Sequence, residues 1–472
     1  MPRDTLAAVW KDATGTDAGP VTFDGDEHVL PGPYRVAHAA AVCVGAATLA
    51  AAELHHERGG TPAPVNVHIG HAAEAFCSER HIAVAGRDTH DLWAALSGDY
   101  RATDGWVRLH ANYPHHADAI LRALGTEPHG VREAVAARPA VEVEDAVLAA
   151  GGAAAVMRDR AGWLADGPGT AVRAEPLVSI EKLGDAPPRP FPPLDRTLAD
   201  RIIAEHALAD RSSPGHMLAA WPLVDRALSG VRVLDLTHVI AGPVATRVLA
   251  AHGASVLHVT DPKRPVLHRL VMDTDLGKRS CHVDLDTDEG RATLRALAAD
   301  ADVLVQSYRP DSLARRGFGP DDLAGTGIVL VGLAAYGHTG PWRGRRGFDS
   351  LVQMSCGIAA DGAADGGGEP TPLPAQALDH GTGWLAAFGI ITALRRRARE
   401  GGAWHVRLSL ARTAEWLHDL GRDTAPATPF DVTPLLAEAD GDYGRVTHLR
   451  VPGAPPGLAG AHRPGRDPAT WW

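Results

Sequence analysis

From residue 231 onward the sequence alternates short apolar runs with helix-length segments, and this grammar constrains the fold more than any other feature of the chain. Residues 231–236, 255–259, 302–305 and 327–333 read as strands, and 243–252 and 287–299 read as helices between them. Gly242-Pro243 suits a turn entering a helix at its first position, and Gly253 a helix stop. Strands spaced by helices of about 10–13 residues predict a parallel sheet with right-handed crossovers. The expected class is α/β, a doubly wound parallel sheet with a smaller α+β module beside it. In such folds ligands sit beyond the carboxyl ends of the strands, here the loops at 237–242, 261–264, 306–309 and 334–340.

Upstream of this region, 34–57 is Ala-rich without proline and predicts a buried helix, stopped near Gly59-Gly60. Residues 65–69 alternate like a strand, with a second helix from about 72. Residues 92–185 predict a small mixed module, with a strand at 106–109 and helices near 116–124, 143–150 and 159–165. The proline-dense stretch 186–193 forbids helix and predicts a linker. Residues 1–32 are polar and punctuated by Gly and Pro, which predicts a mobile lead-in. Self-comparison predicts an internal duplication: His380 falls on His38, Gly401-Gly402 on Gly59-Gly60, and 406–410 on 65–69. Asp379 of the later copy aligns with Ala37 of the earlier one, so a single copy carries a carboxylate there.

The charge balance, 46 Lys and Arg against 57 Asp and Glu, gives a net −11 and argues against a nucleic-acid partner. An apolar run of about 14 residues is short of the ~20 needed to cross a bilayer, and no secretory leader is recognisable, so a cytoplasmic protein without a membrane partner is expected. Cys43, Cys77, Cys281 and Cys356 form no CxxC pair, and the expectation is four buried thiols, neither disulfides nor a metal site. Nucleotide phosphate loops, HExxH and the hydrolase elbow G-x-S-x-G are absent from the sequence. The histidine pairs His55-His56 and His115-His116 read as surface or interface residues, not as ligands.

What remains is a series of ordered blocks: VLDLTHVIAGP (233–243), GKRSCHVDL (277–285), DVLVQSYRPDSLARRGFG (302–319), AAYGHTGPWRGRRGFDSLVQ (334–353) and LPAQALDHGTGWLAAFG (373–389). Block by block and in order, these resemble the family III CoA-transferases, whose relatives include formyl-CoA transferase, carnitine CoA-transferase and α-methylacyl-CoA racemase. Residues 34–190 resemble, more weakly, the later half of that family.

The resemblance implies a Rossmann-like CoA-transferase domain at 231–424. Before it would come a lead-in (1–32), a degenerate repeat (33–91), a small α+β domain (92–185) and a Pro-rich linker with a helix (186–230); a C-terminal tail (425–472) would follow. It implies Asp379 as the nucleophile. It places CoA contacts at His238, Val239, Ile240, Ala241, Lys278, Ser307, Tyr308, Arg315, Arg346 and Phe348. Coenzyme A would be substrate, in the form of an acyl-CoA with a carboxylic acid as co-substrate, and no tightly bound cofactor or metal is implied. Family members form interlocked dimers, so a homodimer or an intramolecular pseudo-dimer is expected. The residues add physical sense. A carboxylate serves as a covalent nucleophile in acyl transfer, N–H groups at 380–383 would face a developing oxyanion, and guanidinium groups match phosphate oxygens. Phe348 stands where the racemase branch carries a histidine base, which disfavours α-proton chemistry. A CoA-binding paralogue without turnover is the alternative. The Gly-rich loop that closes over the transferase site has only 94–98 as a weak counterpart.

Overall fold

The computed structural model describes residues 1–85, 87–88, 93–194, 226–363, 368–423 and 425–472. The helix expected within 186–230 falls outside these residues. Seven strands form the central sheet: β1 (Ser179–Gly184), β2 (Arg232–Leu236), β3 (Ser255–Thr260), β4 (Arg279–His282), β5 (Val303–Gln306), β6 (Val329–Ala334) and β7 (Ala403–Ser409). Their order is β4-β3-β2-β5-β6-β7-β1. Strands β2 to β7 are parallel, and β1 runs antiparallel on the outer edge of β7. The six parallel strands thus have the doubly wound order, reversing between β2 and β5.

Alternation explains the register. Leu234 lies opposite Leu257 and Leu304, and Leu304 opposite Leu330, on one face of the sheet. These leucines form one buried cluster, whereas Val233, Val303, Val305, Val329 and Val331 point into the other. Both faces are therefore covered, as a parallel sheet requires. β1 and β4 carry no such apolar signature. Their sequences, SIEKLG and RSCH, show the mixed polarity of edge strands.

Three long or central helices frame the site: α1 (Val36–Glu57), α2 (Ala241–Ala251) and α3 (Ala377–Glu400). α3 packs against both α1 and α2. α1 and α3 carry the two segments aligned in the self-comparison of the sequence, and they meet within one chain. Their last turns are tied by Arg395, which pairs with Glu53 at 2.6 Å and Glu57 at 2.5 Å. α1 is long and apolar enough to cross a membrane, but its surface is covered by protein.

The expected mobile lead-in is instead folded. Pro2–Thr14 is a helix with Leu6, Val9 and Trp10 buried, and Val21–Asp24 pairs in parallel with Val65–His68. Leu6, Val9 and Trp10 fall at i, i+3 and i+4, an apolar stripe on a helix opened by proline. The 425–472 segment is also built in. Leu436–Gly441 and Gly444–Leu449 form a hairpin that extends onto Ala83–Val84, and Trp471 Nε1 donates to Leu297 O at 3.0 Å.

The small module is a three-stranded antiparallel sheet, Gly98–Arg101, Trp106–Leu109 and Ala154–Val156, with helices Pro114–Leu124, Val131–Ala136 and Ala140–Ala149 packed around Val107, Leu109, Ile120, Val143 and Val147.

Trp10 lies 5.2 Å from the Phe388 ring on α3. Trp10→Ala is expected to destabilise the chain by about 3–5 kcal/mol, read as the shift of the chemical denaturation midpoint. A mobile lead-in would leave the midpoint unchanged.

Candidate active site

The sheet reverses direction between β2 and β5, and a cleft of about 540 Å³ opens there. The loops after β2, β3 and β5 and the segment 343–348 line it, together with Tyr113, His115 and His116 from the small module. Four groups cluster beneath the loop after β2. Lys278 Nζ is fully enclosed, 2.9 Å from Asp235, 3.3 Å from Asp275 and 3.0 Å from the Pro243 carbonyl. His258 sits 2.6 Å from Asp275 through Nδ1 and donates Nε2–H to the Thr237 carbonyl at 3.0 Å. Burial alone would lower the His258 pKa and raise that of Asp235. The partner charges outweigh it, raising His258 and holding Asp235 well below the usual carboxylate range. Two anions and two cations thus neutralise one another in the interior. This cluster fixes Thr237, and the chain then turns through Val239 at φ 74°. A β-branched residue in the left-handed region is strained, and such strain collects at functional turns.

Of the residues expected to contact CoA, His238, Val239, Ser307, Tyr308, Arg346 and Phe348 line this cleft. Ile240 and Ala241 lie behind it, buried where α2 begins. Lys278 is corrected: its ammonium is consumed by Asp235 and Asp275 and cannot reach a ligand phosphate. Arg315 is exposed in the 314–316 turn and is not part of the cleft lining. Sequence reading missed Lys263, Arg264, Arg309, Arg343 and Arg345 as cleft residues, although two of the strand-end loops it selected carry three of them. His115 and His116, expected as surface or interface residues and not as ligands, both line the cleft, where His116 is buried. The Ser307 hydroxyl is buried and has no hydrogen-bond partner among the described residues.

Asp379 occupies the first turn of α3, 6 % exposed, and is not part of the cleft wall. Phe348, which is, immediately precedes Asp349. The buried Asp349 carboxylate accepts the backbone N–H of Leu378 at 2.8 Å and of Asp379 at 2.9 Å, capping α3 from a neighbouring helix. Gln353 clamps it by donating Nε2–H to its other oxygen. The Asp379 carboxylate itself accepts no hydrogen bond among the described residues. Burial raises its pKa well above the ordinary value, and the charges of Asp349 and Glu79 raise it further. Glu79 lies 3.0 Å from His380 Nε2 and is held low despite burial by that hydrogen bond.

The expected oxyanion donors at 380–383 are not available. The His380 N–H donates to Gln376 O at 3.0 Å, and the following ones lie inside the helix. Gly383, one turn beyond Asp379 on the same face, lets α3 approach α2. A Cβ there would come within 2.5 Å of the Ala241 carbonyl oxygen. Asp379 is thus carried toward the end of α2 that adjoins the strained turn.

A doubly wound sheet thus carries a cation-lined cleft at the point where its strand order reverses, with a buried carboxylate in the adjoining helix. The sequence model of CoA-transferase family III matches residues 8–188 and 228–421, and the chain belongs to that family. It is 39 % identical to an acetyl-coenzyme A transferase of Hypoxylon pulicicidum, over 41 % of this chain and 34 % of that protein. It is 34 % identical to a probable fatty acyl-CoA transferase of Mycobacterium tuberculosis, over 39 % of this chain and 50 % of that protein. A crystal structure from M. tuberculosis aligns with a TM-score of 0.39 at 33 % identity, covering 41 % of this chain and 58 % of that one. The chain spans half or less of the length of these curated relatives.

The raised pKa of Asp379 has a stability consequence. Folded protein binds its proton more tightly than unfolded chain does, so the contribution is present below the unfolded carboxylate value and is lost as pH rises through the folded one. Between pH 4 and pH 8 the melting temperature of the wild type is expected to fall further than that of Asp379→Asn. The variant should be the more stable of the two at pH 8, as measured by calorimetry. Parallel melting profiles would show that the carboxylate is solvated.

Proposed function

We propose that the chain transfers CoA from an acyl-CoA to a carboxylic acid, with Asp379 as the covalent carrier. The observation that carries this reading is a carboxylate without hydrogen-bond partner or cation among the described residues, on the residue whose own N–H is held by Asp349, the neighbour in sequence of the cleft residue Phe348. The curated relatives named above are CoA transferases, which supports the same activity here.

In this mechanism an Asp379 oxygen bonds to the thioester carbonyl carbon, the C–S bond breaks, and CoA leaves as thiolate, giving a mixed anhydride. The thiolate then bonds to the aspartyl carbonyl carbon and expels the acyl group as a carboxylate, leaving an aspartyl-CoA thioester. The acceptor carboxylate attacks that thioester, forming a second anhydride and freeing thiolate. Thiolate attack on the acceptor's carbonyl releases the new acyl-CoA and regenerates Asp379. The anhydride and thioester bonds conserve the energy of the starting thioester. Lys263, Arg264, Arg309 and Arg346 supply the charge for the CoA phosphates at the cleft mouth. Tyr308 and Phe348 offer flat faces to the adenine or the pantetheine arm. The α1–α3 contact supports an intramolecular counterpart of the subunit contact expected for the family.

Binding of CoA without turnover is the second reading, favoured by the absence of Asp379 from the cleft wall. One experiment separates them. Incubation with a panel of acyl-CoAs should give an intact-mass shift equal to an acyl or CoA adduct, cleaved by hydroxylamine and absent in Asp379→Asn. CoA binding with no adduct from any donor would leave only the second reading.

Attack requires ionised Asp379, so kcat/KM should fall as pH drops through its raised pKa, with a midpoint above the ordinary carboxylate value near 4. Asp349→Asn removes one of the charges that raise it and should move this limb to lower pH. Asp379→Asn should lose at least ~10³-fold in kcat.

A further inference from the structure

We propose that the 113–116 turn of the small module, with Phe348 opposite it, forms the subsite for the carboxylic acid that receives CoA, and that His116 donates the hydrogen bond to its carboxylate. This deepens the function proposed above and rests on it.

The small module and the sheet domain meet here through rings. His110 stacks on Phe348 with centroids 3.7 Å apart and planes 4° from parallel. His116 lies edge-on to Phe348 at 5.8 Å, and Tyr113 lies 6.4 Å from Phe348 and 6.3 Å from His238. His116 is 4 % exposed, yet its ring makes no hydrogen bond among the described residues. Its Nδ1 is enclosed and unpartnered, and as a cleft-lining residue it has Nε2 left for a ligand. Buried polar groups are rarely left without partners, so an orphan imidazole in a cleft marks a position that a ligand completes. Ser307 Oγ, also buried and unpartnered, lines the same cleft.

Two arguments make that ligand a small carboxylate and not a CoA phosphate. The first is position. Phe348 is joined by one peptide bond to Asp349, whose carboxylate holds the N–H of Asp379, so the Phe348 end of the cleft adjoins the nucleophile. The second is charge. Lys263, Arg264 and Arg309 gather three fixed cations on the loops after β3 and β5, whereas at the Phe348 end Arg346 stands beside the imidazoles and the phenol of the 113–116 turn. Such a set suits one negative charge, whereas clustered phosphates need permanent cations.

The groups facing His116 are His115 and Tyr113 on its own turn, His110 on the preceding segment, His238 from the loop after β2, and Arg346 beside Phe348. Burial, aided by His115, Arg346 and His238, pushes the His116 pKa down to about 4, so the ring is neutral in the empty cleft. A carboxylate bound to it reverses that balance and draws in a proton.

The test is calorimetric titration of sodium succinate and sodium acetate into the full-length chain saturated with CoA, at pH 7 in phosphate and in Tris. Saturable binding is expected, with net proton uptake revealed by the difference between buffers. His116→Gln should weaken carboxylate binding about tenfold or more and abolish the uptake, with CoA affinity held within about twofold. His115→Ala, at an exposed position that cannot disturb the fold, should weaken it about threefold. Binding of the carboxylate unchanged in both variants overturns the proposal, as does a wild type that binds neither acid. A loss confined to CoA affinity overturns it too, since His116 would then belong to the CoA site. An adduct experiment that fails while carboxylate binding depends on His116 would sink the covalent mechanism and leave the subsite standing.

Discussion

Asp349 is a buried carboxylate with no ion pair among the described residues, and the geometry of the site depends on how it is satisfied. It is held by three N–H donors: two from the first turn of α3 and one from Gln353. Those two backbone donors are orphans of a helix whose own N-cap residue, Gln376, contributes no side-chain bond. The bond is therefore reciprocal, since α3 could not begin where it does without Asp349, and Asp349 could not be buried without α3. One consequence is that Asp379 is fixed in place by its backbone while its side chain stays free. Another is electrostatic. Two carboxylates this close do not ionise independently, and the one without hydrogen bonds keeps its proton to higher pH. A carboxylate that is hard to ionise is a stronger base once ionised, the property a covalent carrier needs.

The rest of the architecture brings that turn to the cleft. α3 approaches α2 only because Gly383 has no side chain to meet the Ala241 carbonyl oxygen. It approaches α1 because alanines dominate the facing helix, from Ala37 to Ala51. Meanwhile the enclosed Asp235–Lys278–Asp275–His258 set anchors the end of β2 from below. A four-charge interior cluster contributes little net stability, but removing any member leaves an uncompensated charge beneath the turn through Val239. The cluster thus specifies a conformation that Val239 would not otherwise adopt.

The sequence made β2, β3, β5, β6 and β7 legible because Leu and Val alternate on strands buried on both faces, a period that survives any tertiary context. β1 and β4 were hidden by the opposite circumstance: edge strands need only one good neighbour and carry charged residues freely. The Pro2–Thr14 helix was missed because its stripe is three residues wide within polar text. At the site, the resemblance pointed to six residues that line the cleft, His238, Val239, Ser307, Tyr308, Arg346 and Phe348, and the strand-end loops to its position. Lys278 was misjudged because a lysine beside an arginine reads as surface charge. Only the fold reveals that Asp235 and Asp275 lie beneath it. His116 was misjudged for a related reason. Its partners across the cleft, Phe348 and His238, are more than 120 residues away, so no local pattern could announce them.

In the duplication that the self-comparison of the sequence proposes, only the later segment carries the carboxylate of the proposed mechanism. Ala37 stands where the second copy has Asp379, and it is fully packed beneath neighbouring side chains. The earlier segment also acts on that site. Phe76 stacks on His380 at 5.8 Å, and Glu79 engages the same imidazole while its charge helps raise Asp379. Both residues follow the strand and helix that continue α1, so the earlier segment helps set the environment of Asp379. Two constraints follow for any change in 76–79. It alters the core between the copies, and through the His380–Glu79 pair it also alters the proton affinity of a residue 300 positions later. Stability and reactivity at Asp379 are therefore coupled through one buried imidazole, not through the cleft.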